Sequence, residues 1–274
     1  MGSMPKKHNF NLYRMVMVKN NSVALITGSA SGIGAATANQ LAQSGSHVVI
    51  NYSRNESGAM STAEICASYG VETLVIKADV SEQNECNALV SAAYEKWGRI
   101  DHLVNNAGIS IFSHGTDLDT LTDEDFINLY HVNLVGPFHM VKAAHKYIKQ
   151  SPNGSIVNVS SISSVTGSGS SIAYAASKGA LNTLTKSLAR MLAPEIRVNA
   201  VLPGVANTSW WTKGIGEGNH KKLMDSFKEK VPLQEVCSAE SVAETITWLL
   251  TGAKHITGET LLIDSGTHLI TFQP

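Results

Sequence analysis

From Ser22 onward, short β-rich apolar runs alternate with longer amphipathic stretches, and no other feature constrains the fold as tightly. The runs are Val23–Ile26, His47–Ile50, Thr73–Ile76, His102–Val104, Ile156–Val159, Arg197–Val201 and Thr260–Ile263. Between them, Ala35–Gln43, Gly58–Ser68, Glu82–Trp97, Glu124–Lys149, Ala173–Met191 and Ser241–Leu250 fit helices. Such alternation predicts an α/β, Rossmann-type, doubly wound sheet of seven parallel strands with helices on both faces. Stretches such as Val48-Val49-Ile50 are apolar without a break, as strands covered on both faces require. No Pro/Ser-rich linker or internal repeat divides the chain. Residues 21–274 are therefore expected to form a single domain. Residues 1–20 show no clean period and read as an N-terminal extension, with Met1-Gly2-Ser3-Met4 as a cloning remnant before a second start.

Composition excludes several function classes. Of the 274 residues, 21 Lys+Arg face 22 Asp+Glu, a net charge of −1. A balance so near zero gives no field to hold phosphate backbones or anionic lipid, so neither nucleic acid nor membrane is an expected partner. The charged fraction of 16% lies below the usual value of about 25%, consistent with surface buried against another subunit. No apolar run approaches the ~18 residues needed to cross a bilayer, and no secretory signal precedes the first strand. A soluble, cytoplasmic protein is expected. Cys66, Cys86 and Cys237 are odd in number and widely spaced, which suits buried reduced thiols better than disulfides or zinc. The ten His include no HExxH pair, and no metal site is expected.

The first strand turns directly into Thr27-Gly28-Ser29-Ala30-Ser31-Gly32-Ile33-Gly34, and an Ala-rich helix follows. Glycines at a strand-to-helix turn let backbone amides approach a pyrophosphate at the positive helix end, so Gly28, Ser31, Gly32, Ile33 and Gly34 are candidate dinucleotide contacts. At the end of the second strand, where NAD-binding folds usually present an acid to the ribose hydroxyls, the chain reads Asn51-Tyr52-Ser53-Arg54. Ser53 and Arg54 suit a 2′-phosphate, which favours NADP(H) over NAD(H). Arg54 as a solvated loop residue is the alternative.

Only one of the seven tyrosines, Tyr174, is followed four residues later by Lys, here Lys178. On a helix that spacing puts both side chains on one face. A nearby ammonium lowers the pKa of a phenol, which otherwise titrates near 10, and so suits it to proton transfer. Upstream, the strand Ile156–Val159 ends in Ser160-Ser161, where open α/β sheets place ligand groups. The run Ile162–Ser171 reads as a polar, flexible loop.

Thr27–Gly34, Asn105-Asn106-Ala107-Gly108, Asn133, Ser161, Tyr174 with Lys178, and Pro203-Gly204, with thirteen residues from Ser161 to Tyr174, resemble the short-chain dehydrogenase/reductase family over residues 22–266. The resemblance implies that Tyr174 protonates a carbonyl oxygen during reduction and that Ser161 hydrogen-bonds that oxygen. Lys178 would lower the tyrosine pKa and contact the nicotinamide ribose, and Asn133 would hold a water linking Lys178 to solvent. It also implies that Asn106, Ala107 and Gly108 line the adenosine side, that Asp79 and Val80 lie near the adenine, and that Pro203, Gly204 and Thr208 lie toward the carboxamide. Asp79 and Thr208 as plain helix caps are alternatives. Ser31 stands where many NADP-preferring members carry a base, and Asp264-Ser265-Gly266 replaces the frequent Asp-Gly-Gly, a change expected to affect a turn.

In this family Val205–Leu233 would form a lid over the substrate, with Gly214, Gly216 and Gly218 as hinges and Trp210-Trp211 facing an apolar or ring-bearing ligand or a neighbouring subunit. The overall pattern is most similar to 3-oxoacyl-[acyl-carrier-protein] reductases. An acyl carrier protein is thus an expected partner, met by Lys146 and Arg190, which otherwise are solvated. Against this, Ile109–Thr122 is longer than in those reductases and lacks their basic, Leu/Met-rich sequence. The expected activity is NADPH-favouring interconversion of a carbonyl and a secondary alcohol, with a 3-oxoacyl thioester as the leading substrate. Alternatives are an NAD-dependent sugar, steroid or other small-alcohol dehydrogenase, and a non-catalytic nucleotide sensor. Pairing of the Glu124–Lys149 and Ala173–Met191 helices between copies implies a homodimer or homotetramer.

Overall fold

The computed structural model describes residues 21–112, 118–208, 210 and 216–270. Trp211, Gly214, the extension 1–20 and part of the Ile109–Thr122 loop lie outside the described residues. The strands β1 (Val23–Ile26), β2 (His47–Tyr52), β3 (Thr73–Lys77), β4 (His102–Asn105), β5 (Gly154–Val159), β6 (Ile196–Pro203) and β9 (Thr260–Ile263) form one seven-stranded sheet. Its order is β3-β2-β1-β4-β5-β6-β9, and every pairing is parallel. The doubly wound sheet expected from the alternating pattern is present.

Alternation along the strands divides the core. Ala24 and Ile26 of β1 face one apolar layer with α1 (Gly32–Gln43), α2 (Glu56–Ser68) and α9 (Ala239–Thr251). Val23 and Leu25 face the other, with α3 (Gln83–Trp97), α5 (Gly136–Ile148) and α7 (Ile172–Leu192). All four β1 side chains are fully buried, so the uninterrupted apolar run is a consequence of burial on two sides. Cys66, Cys86 and Cys237 are buried and free, and burial pushes the Cys66 and Cys86 thiols up to about 12. They remain thiols rather than thiolates near neutrality.

The structure departs from the expected elements in four places. The single helix expected over Glu124–Lys149 is divided into α4 (Asp123–Tyr130), a π turn (His131–Val135) and α5. Pro137, in the first turn of α5, has no N–H to offer the carbonyl four residues earlier. The ladder widens there, and the Gly136 N–H donates to His131 O. Within Ile162–Ser171, read as a loop, α6 (Ser163–Thr166) makes one turn and ends at Gly167 in the left-handed region. The expected lid contains α8 (Glu217–Lys230), and its ends are drawn together by β7 (Ala206–Asn207) pairing with β8 (Cys237–Ser238). Two-residue strands carry no alternation to detect. Ser265 lies at φ +54, so the departure from Asp-Gly-Gly does fall on a turn that favours glycine.

At the amino end of the sheet, Asp101 accepts from the Val23 N–H at 2.8 Å, from Arg99 Nη2 at 2.7 Å and from Ser151 Oγ at 2.5 Å. Burial opposes its charge, but these donors outweigh burial and hold the carboxyl below its usual range. Arg197 donates to the carbonyls of Leu249, Leu250 and Ala253 at the end of α9. Between these groups His102 is 2% exposed. Burial, opposed by Asp101 and reinforced by Arg197 and Arg99, lowers its pKa to about 4.

An unfolded His binds its proton near pH 6.5, before the folded one does. The stability that His102 contributes is therefore present above about pH 6.5 and lost as pH falls toward about 4. Asp101 acts only below its ordinary pKa, outside that window. Urea midpoints should drop between about pH 7 and about pH 4, and His102→Leu should remove most of the slope. Parallel pH profiles for the two proteins would disprove the assignment.

Candidate active site

The carboxyl ends of β1, β4, β5 and β6 converge on two clusters. The first is the turn between β1 and α1. Ser31, the residue before α1, is extended and makes no side-chain cap to the helix N–H groups, as at a helix start that serves an anion. Gly28 adopts φ +63, and a Cβ there would lie 2.9 Å from Ala107 Cα. A Cβ on Gly34 would lie 2.4 Å from Asn106 Nδ2 and 2.7 Å from Gly28 O. Only bare backbone fits at Gly28 and Gly34, in a turn of the kind that could receive a dinucleotide pyrophosphate.

Two residues to which no role was assigned lock this turn. Thr27 Oγ1 accepts from the Asn106 and Ala107 N–H groups, each at 3.0 Å, while Asn106 Nδ2 donates to Thr27 O and Gly28 O. Asn51 Oδ1 accepts the Gly28 N–H at 3.1 Å, and its Nδ2 donates to Ala78 O at 3.0 Å. Thr27 was visible as the residue before the first glycine. Nothing in the sequence distinguishes Asn51 from a solvated strand-end amide.

The remaining cofactor candidates are distributed unevenly. Ser53 and Arg54 are exposed just beyond β2. Ile33 is half-buried against α9, and Thr208 approaches the turn, 3.7 Å from where a Gly32 Cβ would lie. Pro203 O accepts the Ile162 N–H and Gly204 N–H donates to Ile263 O, which ties the end of β6 to its neighbours. Asp79 Oδ1 accepts from Ser81 N and Oγ at 2.9 and 2.7 Å, a local turn and not the helix cap of its alternative reading, since Glu82 is the N-cap of α3. Val80 is buried in the core.

The second cluster lies between β5 and α7. Ser171 caps α7 by accepting the Tyr174 N–H, and Lys178 follows one turn later on the same face. Lys178 is buried, its Nζ donating to Val159 O at 2.9 Å and lying 5.7 Å from the Tyr174 ring centroid. A Cβ on Gly108 would lie 3.5 Å from that Nζ and 3.2 Å from Asn133 Oδ1, so Gly108, Asn133 and Lys178 meet. The π turn turns Asn133 fully inward. Its Oδ1 accepts the Ile109 N–H, and its Nδ2 donates to Ile109 O and Ser177 Oγ. The amide expected to hold a water thus makes these bonds to protein.

Ser161, at the tip of β5, is buried beside the Tyr174 phenol. Burial pushes that phenol up to about 12, with Ser161 opposing, and pushes Lys178 down to about 8. Burial therefore favours the protonated phenol. Trp210 borders the cluster, its ring 6.2 Å from that of Tyr174. Lys146 and Arg190 are exposed, Lys146 lying over the Tyr147 ring. Among the described residues no cluster of His, Cys, Asp or Glu is arranged for a metal, and no helix is long and apolar enough to cross a membrane.

Residues 28–268 match the family model described as enoyl-(acyl carrier protein) reductase. A 3-oxoacyl-[acyl-carrier-protein] reductase of Synechocystis is 36% identical over 89% of this chain and 96% of its own length. Glucose 1-dehydrogenase 2 of Bacillus subtilis is 33% identical over 91% of this chain and 96% of its own. A crystal structure assigned to a short-chain dehydrogenase/reductase of Burkholderia xenovorans superposes with a TM-score of 0.85 at 38% identity, covering 91% of this chain and 99% of that one.

The close approach at Gly34 has a measurable consequence. Gly34→Ala should lower the melting midpoint by about 5 °C, the cost of overpacking a turn with no room to relax. Gly218→Ala, whose Cβ meets nothing within 4 Å, should leave it unchanged within about 1 °C. Equal midpoints for the two variants in differential scanning calorimetry would contradict that close approach.

Proposed function

The chain belongs to the short-chain dehydrogenase/reductase family, and from that premise we propose that it is an NADP(H)-dependent reductase acting on a 3-oxoacyl thioester. That the protein is an oxidoreductase using a nicotinamide nucleotide follows from the family. The reading of the chemistry rests on one observation, the shared face of α7 that carries Tyr174 and Lys178 against Ser161 at the tip of β5.

A nicotinamide coenzyme held at this site would supply the hydride. As charge develops on the carbonyl oxygen, Ser161 hydrogen-bonds it and Tyr174 Oη gives up its proton to it. The protonated phenol is the form that reduction needs, and its raised pKa supplies that form. Lys178 then faces the phenolate, and its ammonium stabilises that charge and would contact the ribose of the coenzyme. Asn133 holds the Ile109 backbone and Ser177 in place, and a water beside it would return the proton. Gly28, Ser31, Gly32, Ile33 and Gly34 would receive the pyrophosphate, with Asn106, Ala107 and Gly108 on the adenosine side and Thr208 toward the carboxamide. Exposed Ser53 and Arg54 at the end of β2 favour the 2′-phosphate of NADP(H).

Trp210 beside Tyr174 supports a second reading, a dehydrogenase of sugars or other ring-bearing alcohols that uses NAD(H). A nucleotide sensor would need none of the acid–base groups. The protein is proposed to act in the cytoplasm, with residues 205–233 as a lid and an acyl carrier protein as the donor of the thioester.

Oxidation of NADPH and of NADH, each with an acetoacetyl thioester beside ketones and sugars, tests this reading. NADPH-dependent thioester turnover is expected, and activity confined to sugars or NADH would move the function to the second reading. Tyr174→Phe should lower kcat by about 100-fold or more while coenzyme Kd stays within about twofold. Full activity in that variant would remove Tyr174 as the acid. Ile127, Phe138, Ile172 and Met191 are exposed on α4, α5 and α7, and support a dimer or tetramer built on those helices. Sedimentation at micromolar concentration should give such an assembly, and a monomer would rule it out.

A further inference from the structure

Beside Ser161 lies a second hydroxyl that the mechanism above does not use. Ser163 opens α6 and is 5% exposed. Its Oγ lies 3.1 Å from Ser161 Oγ, and its backbone N–H donates to the same Ser161 oxygen at 3.1 Å. On its far side the chain closes in, since a Cβ on Gly169 would lie 2.4 Å from Ser163 Oγ and 3.8 Å from Tyr174 Cδ1. The hydroxyl is thus held between the proton-donating side chains and the backbone that leads into α7.

We propose that Ser163 is a positioning residue for the reduction, whose hydroxyl donates to Ser161 Oγ and so frees the single Ser161 proton to point at the substrate oxygen. A serine hydroxyl has one proton to give and two lone pairs to receive. Without substrate, the Ser161 hydroxyl donates to Ser163 Oγ. When a carbonyl oxygen arrives, rotation about the two Cβ–Oγ bonds reverses the pair. Ser161 Oγ then receives the Ser163 N–H and the Ser163 O–H, and its own proton goes to the carbonyl. Both lone pairs of Ser161 are filled, no proton changes owner, and the Ser161 donor is polarised by the chain behind it. The backbone N–H alone leaves one lone pair open and the Ser161 rotor free to turn away.

The inference rests on carbonyl reduction at this site, and the test separates the two. Ser163→Ala should lower kcat about tenfold, with substrate KM and coenzyme Kd within about twofold of the parent. In a Ser161→Ala background the same change should cost less than about twofold, because Ser163 acts through Ser161. Ser163→Thr, which keeps the hydroxyl, should recover at least about half of the parental kcat. Parental kcat in Ser163→Ala, equal losses in both backgrounds, or failure of Ser163→Thr to recover would each overturn the role while leaving the reductase reading intact. A parent protein that reduces no carbonyl would overturn both.

Discussion

Burial of both faces of a parallel sheet is the constraint on which the rest of this structure depends. A strand such as Val23–Ile26, with no exposed side chain, is stable only with helices on each side, and parallel pairing sends every chain crossing over those faces. All seven carboxyl ends then emerge along one edge. Chemistry collects there because the turns leaving β1, β4, β5 and β6 are forced into contact. The Thr27–Asn106 clasp and the Asn51–Gly28 bond show how tightly they close. Side chains have little room in those turns, which is why glycine occupies the closest approaches.

The same burial sets the electrostatics of the candidate site. Lys178 sits almost without solvent, its ammonium bonded to a strand-end carbonyl and its pKa lowered to about 8. Tyr174 moves the opposite way for the same reason, since in each case loss of water penalises the charged form. The two shifts leave a neutral phenol and an ammonium that gives up its proton more readily than an ordinary lysine. In the proposed reduction, negative charge arising on Tyr174 would be answered by Lys178 in a poorly screened setting, where such an interaction is strongest. At the opposite end of the sheet His102 shows burial without a catalytic partner, and its lowered pKa is a matter of stability alone.

The sequence made the strands legible because seven apolar runs spaced by amphipathic stretches have few other solutions. It made the glycine turn and the Tyr174–Lys178 pair legible because each is local, carried by neighbours along the chain. The π turn was not legible. Apolar spacing continues through Tyr130–Gly136, and only Pro137 marks where the hydrogen-bond ladder must change. Asn51 went unrecognised for a related reason, since its amide bonds a glycine 23 positions earlier and a carbonyl 27 positions later. Neither separation has a local signature.

What the sequence determined by itself was therefore the sheet, the crossing helices and the residue types at the strand ends, all written in short-range periodicity. Tertiary structure alone decided that Asn133 turns inward to hold Ile109, that Thr27 grips the tip of β4, and that Ser163 comes to rest against Ser161. It also decided the direction of the Tyr174 shift. Burial raises that pKa against Ser161, and burial belongs to the assembled fold, of which helical spacing reveals nothing. Charge stabilisation depends on solvent, and solvent access is a property of the assembled fold.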